Sequence, residues 1–99
     1  MRGIILLKCI CDDTRFEILE ILQKNKEMCV NDFVEKMKKD QPLISHHLKT
    51  LKKCGIVKSR DKGKKSLYSI SNVQMSDIIA NIIKASKEIP VLCNTNNCC

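Results

Sequence analysis

A chain of 99 residues provides one small domain and excludes a second. It is 43% hydrophobic with three aromatic residues, which favours a compact helical core of aliphatic side chains. The net charge of +7 is concentrated in residues 45–65, which hold eight basic residues and one acidic one; this is typical of a polyanion-binding surface, with a simply solvated basic face as the alternative.

The first predicted element, RGIILLKCIC, is evenly apolar, so we expect a helix or an extended arm that is buried against a partner. Its apolar run, Ile4 to Leu7, ends at Lys8 and is too short for a signal-peptide core or a membrane span. We therefore expect a cytoplasmic protein with no membrane partner, whose seven cysteines are mostly reduced. Reduced thiols can act as soft metal ligands or as redox switches.

Two amphipathic helices are predicted next. DDTRFEILEILQKN begins with acidic residues suited to a helix start, and its apolar residues Ile18, Leu19 and Leu22 share one face. CVNDFVEKMKK has apolar residues at the i, i+3, i+4, i+7 spacing of a helix with one buried stripe, and we expect it to end near Lys39.

The stretch QPLISHHLKTLKKCG predicts a fourth helix. Asp40 suits its N-cap, Pro42 in the first turn needs no hydrogen-bond donor, and Gly55 can end it in the left-handed conformation. Polar and basic residues fall on one side of this helix and apolar residues on the other. Because His46 and His47 are adjacent, they make poor joint metal ligands. His46 falls on the polar side of the helix, and we expect His47 to be a packed structural residue.

The remaining residues predict a β-hairpin and a fifth helix. IVKSRDKGKKSLYSIS alternates around a turn at residues 61–63, with Leu67 and Ile70 expected on one face and Tyr68 on the other. MSDIIANIIKASKEI has apolar residues at helical spacing and is followed by Pro90, which ends the helix.

Two helices joined by a tight turn, the second with a polar face and followed by a basic hairpin, form a winged helix-turn-helix. The predicted fold is therefore mainly α with a small β-hairpin, in the order of four helices, two strands and a helix, over residues 1–92. Residues 93–99 are expected to be a flexible, cysteine-rich tail. The candidate contacts to double-stranded DNA are Gln41, Ser45 and His46 for base edges, Lys49 and Lys52 for phosphates, and Arg60, Lys62, Lys64 and Lys65 in the hairpin.

Four segments, CDDTRFEILEIL, CVNDFVEKM, QPLISHHLKTLKKCGIV and GKKSLYSIS, resemble successive signatures of the ArsR/SmtB family of metal-responsive repressors. The resemblance covers nearly the whole chain. It implies a homodimeric winged helix whose terminal helices form the dimer interface. It also implies a repressor that occupies operator DNA and dissociates when an inducer binds. It does not identify the inducer.

The sequence departs from that family at its familiar metal sites. Arsenic and cadmium sensors of the family often carry Cys-Val-Cys, whereas this chain keeps Cys29 and has Asn31 in the second position. The family's zinc site uses Asp and His on the last helix, where this chain has Asp77 and no histidine, so a tetrahedral zinc site is not expected. Cys54 matches one cysteine of the family's cadmium and lead sensors, with Thr50 in place of its partner.

The tail is the first-choice inducer site, because Cys93, Cys98 and Cys99 can wrap three thiolates around one thiophilic centre. Three sulfur ligands without histidine suit arsenite or antimonite better than zinc. A small buried hydrophobic role is the alternative for an isolated cysteine, and a disordered end is the alternative for the tail. The lower candidates are Cys9 and Cys11, alone or with Cys29 or a partner's tail, and Cys54.

Three hypotheses follow. The first is a DNA-binding transcriptional repressor with no obligatory cofactor, derepressed when arsenite or antimonite, and secondarily cadmium or lead, binds cysteine thiolates. The second keeps the DNA binding and replaces the metal by oxidation of cysteine pairs to disulfide or persulfide. The third is a cysteine-rich metal-binding protein or thiol enzyme. We do not expect an enzyme, because the histidines that would serve as a base lie on the DNA-binding helix.

Overall fold

The computed structural model describes residues 2–89, and it confirms the predicted order of elements. The predicted cysteine-rich tail, residues 93–99, lies outside the described residues. Between residues 2 and 89, none of the helices has the length and apolarity needed to cross a membrane. The elements are α1 (Arg2–Ile10), α2 (Asp13–Lys24), α3 (Val30–Met37), α4 (Gln41–Lys53), β1 (Val57–Lys62), β2 (Lys65–Ile70) and α5 (Val73–Glu88).

The starts of α2 and α5 are set by polar residues before the first turn. The carboxylate of Asp12 accepts a hydrogen bond from the backbone N of Arg15 at 3.0 Å, and this caps α2. The side chain of Asn72 caps α5 in the same way, through the backbone N of Met75 at 2.8 Å. Asp40 occupies the N-cap of α4 as predicted, but its side chain accepts no capping hydrogen bond from the described residues.

The helix-turn-helix is formed by α3, a short turn and α4. Lys38 has a positive φ of 55°, which ends α3 at Met37, before the predicted end near Lys39. Gly55 ends the α4 region with a φ of +79°, a left-handed conformation that glycine adopts without a Cβ penalty. The two conformations fix where α4 begins and ends relative to the rest of the domain.

The hydrophobic core lies between α2, α3, α4 and α5 and is closed by the start of β1. The predicted faces of α2 and α3 are confirmed at Ile18, Leu19 and Phe33, which are fully buried. Burial of each such side chain contributes about 1.5–3 kcal/mol. The largest fully buried side chains are Phe33, Ile18, Leu19, Ile44, Leu48, Leu51, Ile56 and Ile79.

The β-hairpin pairs β1 and β2 in antiparallel register, from Val57 opposite Ile70 to Lys62 opposite Lys65. The turn is therefore at residues 63–64, not at residues 61–63 as predicted, and Gly63 supplies its positive φ of 63°. Residues 62–65 form the hairpin tip.

The predicted faces of β2 are wrong. Tyr68 and Ile70 both pack against the core, because residues two apart in a strand point to the same side. Leu67 is on the opposite side of the strand by the same rule. Tyr68 also pairs with Met28, whose backbone N donates to the Tyr68 carbonyl oxygen at 3.0 Å, and this holds the hairpin against the loop between α2 and α3.

The two terminal helices expose apolar side chains in the single chain. In α1, Ile10 is buried, whereas Ile4, Ile5 and Leu7 are more than half exposed. The structure thus resolves the predicted choice between a helix and an extended arm in favour of a helix. The apolar residues of α5 divide between two sides: Met75 and Ile79 are buried, Ile83 packs against the core, and Ile78 and Ile82 are exposed.

Candidate functional site

Helix α4 is held by its apolar side and presents its polar side outward. Ile44, Leu48 and Leu51 are fully buried on the core side. Gln41 and Lys49 are exposed on the opposite side, and the remaining predicted contacts of α4 are exposed at His46 and Lys52 and half-buried at Ser45. We name α4 the recognition helix. Its outward side and the exposed hairpin residues Lys62, Lys64 and Lys65 carry the basic charge that the sequence predicted for DNA contact.

Lys52 connects the recognition helix to the hairpin. Its Nζ donates a hydrogen bond to Oγ of Ser59 in β1 at 2.7 Å. Lys52, which is predicted to contact a phosphate, is therefore already hydrogen-bonded within the chain when no DNA is bound. The contact also positions the hairpin relative to the last turn of α4, so the two parts of the basic surface are oriented together.

Arg60, another predicted DNA contact, forms a two-point ion pair with Glu27. Nε and Nη2 of Arg60 donate to the two carboxylate oxygens at 2.6 and 2.8 Å. The Arg60 hydrogen bond lowers the pKa of Glu27, and the Glu27 carboxylate raises the pKa of Arg60. No pattern in the sequence pointed to Glu27, which is 33 residues from Arg60 and reaches it from the loop between α2 and α3.

His47 has the structural position expected of it. Its side chain is 12% exposed, and its Nδ1 lies 3.3 Å from Nη1 of Arg15 and 4.0 Å from a carboxylate oxygen of Asp12. Because arginine can only donate, Nδ1 of the neutral ring acts as the acceptor. Burial, opposed by the Asp12 charge and reinforced by Arg15, lowers the pKa of His47.

Cys9 and Cys54 form a disulfide in the structure, with Cα atoms 6.8 Å apart. This pair is therefore an exception to the expectation of mostly reduced thiols. Cys9 lies in the last turn of α1 and Cys54 is the C-cap of α4, so the bond joins two helices that the sequence analysis did not connect. Cys9 and Cys54 are both among the lower-ranked predicted inducer ligands, and no spacing in the sequence indicates that they pair.

Cys29 is 8% exposed at the N-cap of α3 and is outside that disulfide. Its backbone N donates to the Asp32 carboxylate at 3.1 Å, and this hydrogen bond is the first cause of the lowered pKa of Asp32. Its burial agrees with the alternative of a small core residue. In the described part of the chain, no three His, Cys, Asp or Glu residues are grouped to hold a metal ion. The first-choice ligands, Cys93, Cys98 and Cys99, lie outside that part.

Comparison with known proteins finds relatives that are all transcriptional regulators. Residues 12–59 match the family described as bacterial regulatory protein, arsR family. The chain is 45% identical over 74 residues to an HTH-type transcriptional regulator of Methanocaldococcus jannaschii, which covers 75% of this chain and 83% of the relative. It is 36% identical over 77 residues to the arsenical resistance operon repressor of Staphylococcus aureus, covering 78% of this chain and 73% of that protein.

A solved structure shows the same fold. The homodimeric winged helix-turn-helix DNA-binding domain of a Mycobacterium bovis protein superposes with a TM-score of 0.84 and 20% identity. The superposition covers 95% of this chain and 86% of that one.

Proposed function

Since this chain belongs to the ArsR family of DNA-binding bacterial regulatory proteins, we propose that it is a homodimeric repressor that reads its operator with α4 and the hairpin tip. One observation carries the proposal: the side of α4 opposite the buried Ile44 and Leu48 is exposed, polar and basic, and the basic hairpin adjoins it. A helix of this kind fits the major groove, where each base pair has its own pattern of donors and acceptors.

Within this proposal the contacts divide by chemistry. Gln41, Ser45 and His46 carry amide, hydroxyl and imidazole groups that pair with base edges. Lys49 and Lys52 neutralise phosphates, and Lys52 leaves its partner Ser59 to do so. The hairpin residues Arg60, Lys62, Lys64 and Lys65 lie along the flanking backbone or minor groove.

A second copy of the chain is the proposed partner that covers the exposed apolar sides of α1 and α5. Ile4, Ile5, Ile78 and Ile82 are between 38% and 56% exposed in the single chain, and their burial is favourable. The homodimeric Mycobacterium bovis neighbour supports this arrangement. Two recognition helices in one dimer would meet half-sites about one helical turn, or 34–36 Å, apart.

The inducer proposed for this repressor is arsenite or antimonite, with cadmium or lead second. The support is the chemistry of Cys93, Cys98 and Cys99, which offer three soft thiolates within seven residues, and the similarity to an arsenical resistance operon repressor. Inducer binding would favour a dimer geometry that no longer matches the half-sites. A typical coupling free energy of about 1–3 kcal/mol would weaken DNA binding by about 5- to 150-fold.

A second candidate keeps the DNA binding and senses an oxidant through cysteine thiols. The specific observation in its favour is the disulfide between Cys9 and Cys54. Sensing of a metal by thiolates does not need such a bond, whereas sensing of an oxidant can produce it.

The test is fluorescence anisotropy of a labelled promoter fragment from the protein's own locus. Reduced protein is titrated first, and arsenite, cadmium, lead, zinc and peroxide are then added separately. The proposal expects tight, salt-dependent binding that arsenite reverses, and a Cys93→Ser, Cys98→Ser, Cys99→Ser variant that binds DNA but no longer responds to arsenite. Release by peroxide alone would favour the second candidate. Absence of binding, there and to duplexes selected from a random pool, would overturn the DNA-binding proposal.

A further inference from the structure

Helix α1 is joined to the rest of the domain by few contacts. Ile10 is its buried residue, and Leu6 and Cys9 pack at the edge of the core. One hydrogen bond from Nε of Arg15 to the Cys9 carbonyl oxygen, at 2.7 Å, ties the end of α1 to α2. The covalent bond from Cys9 to Cys54 adds a second connection, from α1 to α4.

The other end of that bond lies on the recognition helix. Cys54 is the C-cap of α4, and its backbone N donates to the carbonyl oxygen of Thr50 at 3.1 Å. The preceding residues of the same turn include Lys52, which contacts Ser59 in the hairpin. A change at Cys54 thus acts on the last turn of α4 and on the contact that orients the hairpin.

In the single chain, Cys54 is also accessible to small molecules. It is half-buried and lines an open groove between α1 and the end of α4, together with Gly3, Ile5, Leu6 and the basic residues Arg2 and Lys53. The thiolate of a reduced cysteine is the form that reacts with oxidants.

We propose that Cys9 and Cys54 are a thiol–disulfide switch, in which oxidation of the pair locks α1 to the recognition helix and weakens operator binding. This inference rests on the proposed DNA-binding function. It assigns the redox chemistry to one pair within a single chain, independently of the tail.

The oxidant class is a peroxide. The Cys54 thiolate attacks one peroxide oxygen, the O–O bond breaks, and a sulfenic acid forms while the departing hydroxide takes up a proton to become water. The Cys9 thiol then attacks the sulfenic sulfur, the S–S bond forms, and the second oxygen leaves as water. Two thiols lose two electrons and two protons, and hydrogen peroxide is reduced to two water molecules. A dithiol reductant returns the pair to thiols by exchange.

The transmission follows from the position of α1. Its exposed side, with Ile4 and Ile5, is the proposed contact with the second copy, whereas its last turn carries Cys9. With the pair reduced, α1 and α4 adjust to one another when the dimer meets its two half-sites. With the pair oxidised, their relative position is fixed by a covalent bond. We expect the oxidised dimer to bind operator about 5- to 150-fold more weakly, the range typical of coupled sites.

The experiment uses the full chain with Cys93→Ser, Cys98→Ser and Cys99→Ser, so that the tail cannot contribute. Anisotropy of a labelled operator is measured after treatment with hydrogen peroxide and again after dithiothreitol, and the linked peptides are identified by mass spectrometry. We expect weaker binding with a Cys9–Cys54 link, full recovery on reduction, and loss of the response in Cys9→Ser and Cys54→Ser. The matched Cys11→Ser variant should still respond.

Three results would overturn the switch. If the Cys9–Cys54 link forms and the affinity is unchanged within about twofold, well below the usual coupling range, the bond is structural. If release persists in Cys54→Ser, another thiol is responsible. If neither the reduced nor the oxidised protein binds a specific duplex, the proposed function itself fails and the switch fails with it, and this outcome is distinct from the other two.

Discussion

Nη1 of Arg15 lies 3.3 Å from Nδ1 of His47 and so joins the first turn of α2 to the middle of the recognition helix. The same guanidinium donates from Nε to the Cys9 carbonyl oxygen at the end of α1. One side chain therefore holds three helices that meet beside the disulfide. This junction holds the core side of α4 in place, while the opposite side of the helix is exposed.

Replacement of Arg15 by Ala should destabilise the fold. The change leaves the half-buried Cys9 carbonyl oxygen and His47 Nδ1 without a donor, and each such loss costs about 1–3 kcal/mol. Urea unfolding under constant dithiothreitol measures the effect. Arg2→Ala, at an exposed position on α1, is the control and should change the free energy of unfolding little. Equal midpoints for the two variants would contradict the role of the junction.

The stability should depend on pH through His47. Its pKa is lowered in the fold, chiefly by burial, whereas the unfolded chain has an ordinary pKa of 6.5. Below that value the unfolded state binds a proton that the folded state refuses, so the free energy of unfolding falls as pH falls, down to the folded-state pKa. His47→Gln should flatten this slope between about pH 5 and 7, where histidine titrates.

His46→Gln is the matched control for that measurement, because it changes the neighbouring exposed histidine and leaves the buried one in place. Asp12 also has a lowered pKa, first through its hydrogen bond from the Arg15 backbone N, but its stabilisation is lost in a separate window below its ordinary value of 3.8. If the free energy of unfolding has the same slope between about pH 5 and 7 in wild type and in His47→Gln, His47 is not the source of the pH dependence. Histidine is the side chain that ordinarily titrates in this range.

Phosphate contacts at the hairpin tip should appear in the salt dependence of operator binding. Lys64 is exposed at the tip, and Lys64→Ala should weaken binding to every sequence and reduce the slope of log K against log salt by about 1. Lys87→Ala, on the exposed surface of α5, makes the same change in net charge away from the proposed DNA-binding surface. An equal effect of the two substitutions would show that general charge, and not the hairpin tip, governs affinity.

Glu27 should restrain DNA binding. Because its carboxylate occupies Nε and Nη2 of Arg60, phosphate contact by Arg60 requires that this exposed ion pair opens. Glu27→Gln should strengthen operator binding by about two- to threefold at low salt, with a smaller gain at high salt, since exposed pairs are weak and screened. Anisotropy titrations at two salt concentrations provide the measurement. In Arg60→Ala, the Glu27→Gln substitution should have a smaller effect, and an equal effect would contradict the account.

The periodicity of apolar residues was sufficient to predict the elements and their order. In α3, for example, Phe33 and Met37 are buried at the spacing that indicated one stripe. The error in β2 came from the assignment of faces, because strict alternation places Tyr68 with Ile70 and separates both from Leu67. The start of α5 was placed too late because Asn72, its capping residue, precedes the apolar repeat.

The candidate functional site could be predicted from the sequence only where its residues lie on a single helix or strand. The exposed side of α4 follows from the 100° rotation per residue, so the exposure of Gln41 and Lys49 could be predicted from the sequence. The pairs Glu27 with Arg60 and Cys9 with Cys54 are 33 and 45 residues apart, and each depends on how separate elements pack. No local spacing encodes such contacts, which is why they were missed.

The most direct test of the central claim is selection of bound duplexes from a random-sequence pool by the reduced, full-length protein. The account predicts an enriched inverted repeat with half-site centres about 10–10.5 base pairs, or a small multiple of that, apart. It also predicts that Gln41→Ala relaxes the preference at one position in each half-site, at a cost of about 1–3 kcal/mol per site. Recovery of unrelated sequences, bound equally well by wild type and Gln41→Ala, would contradict the claim that α4 reads DNA.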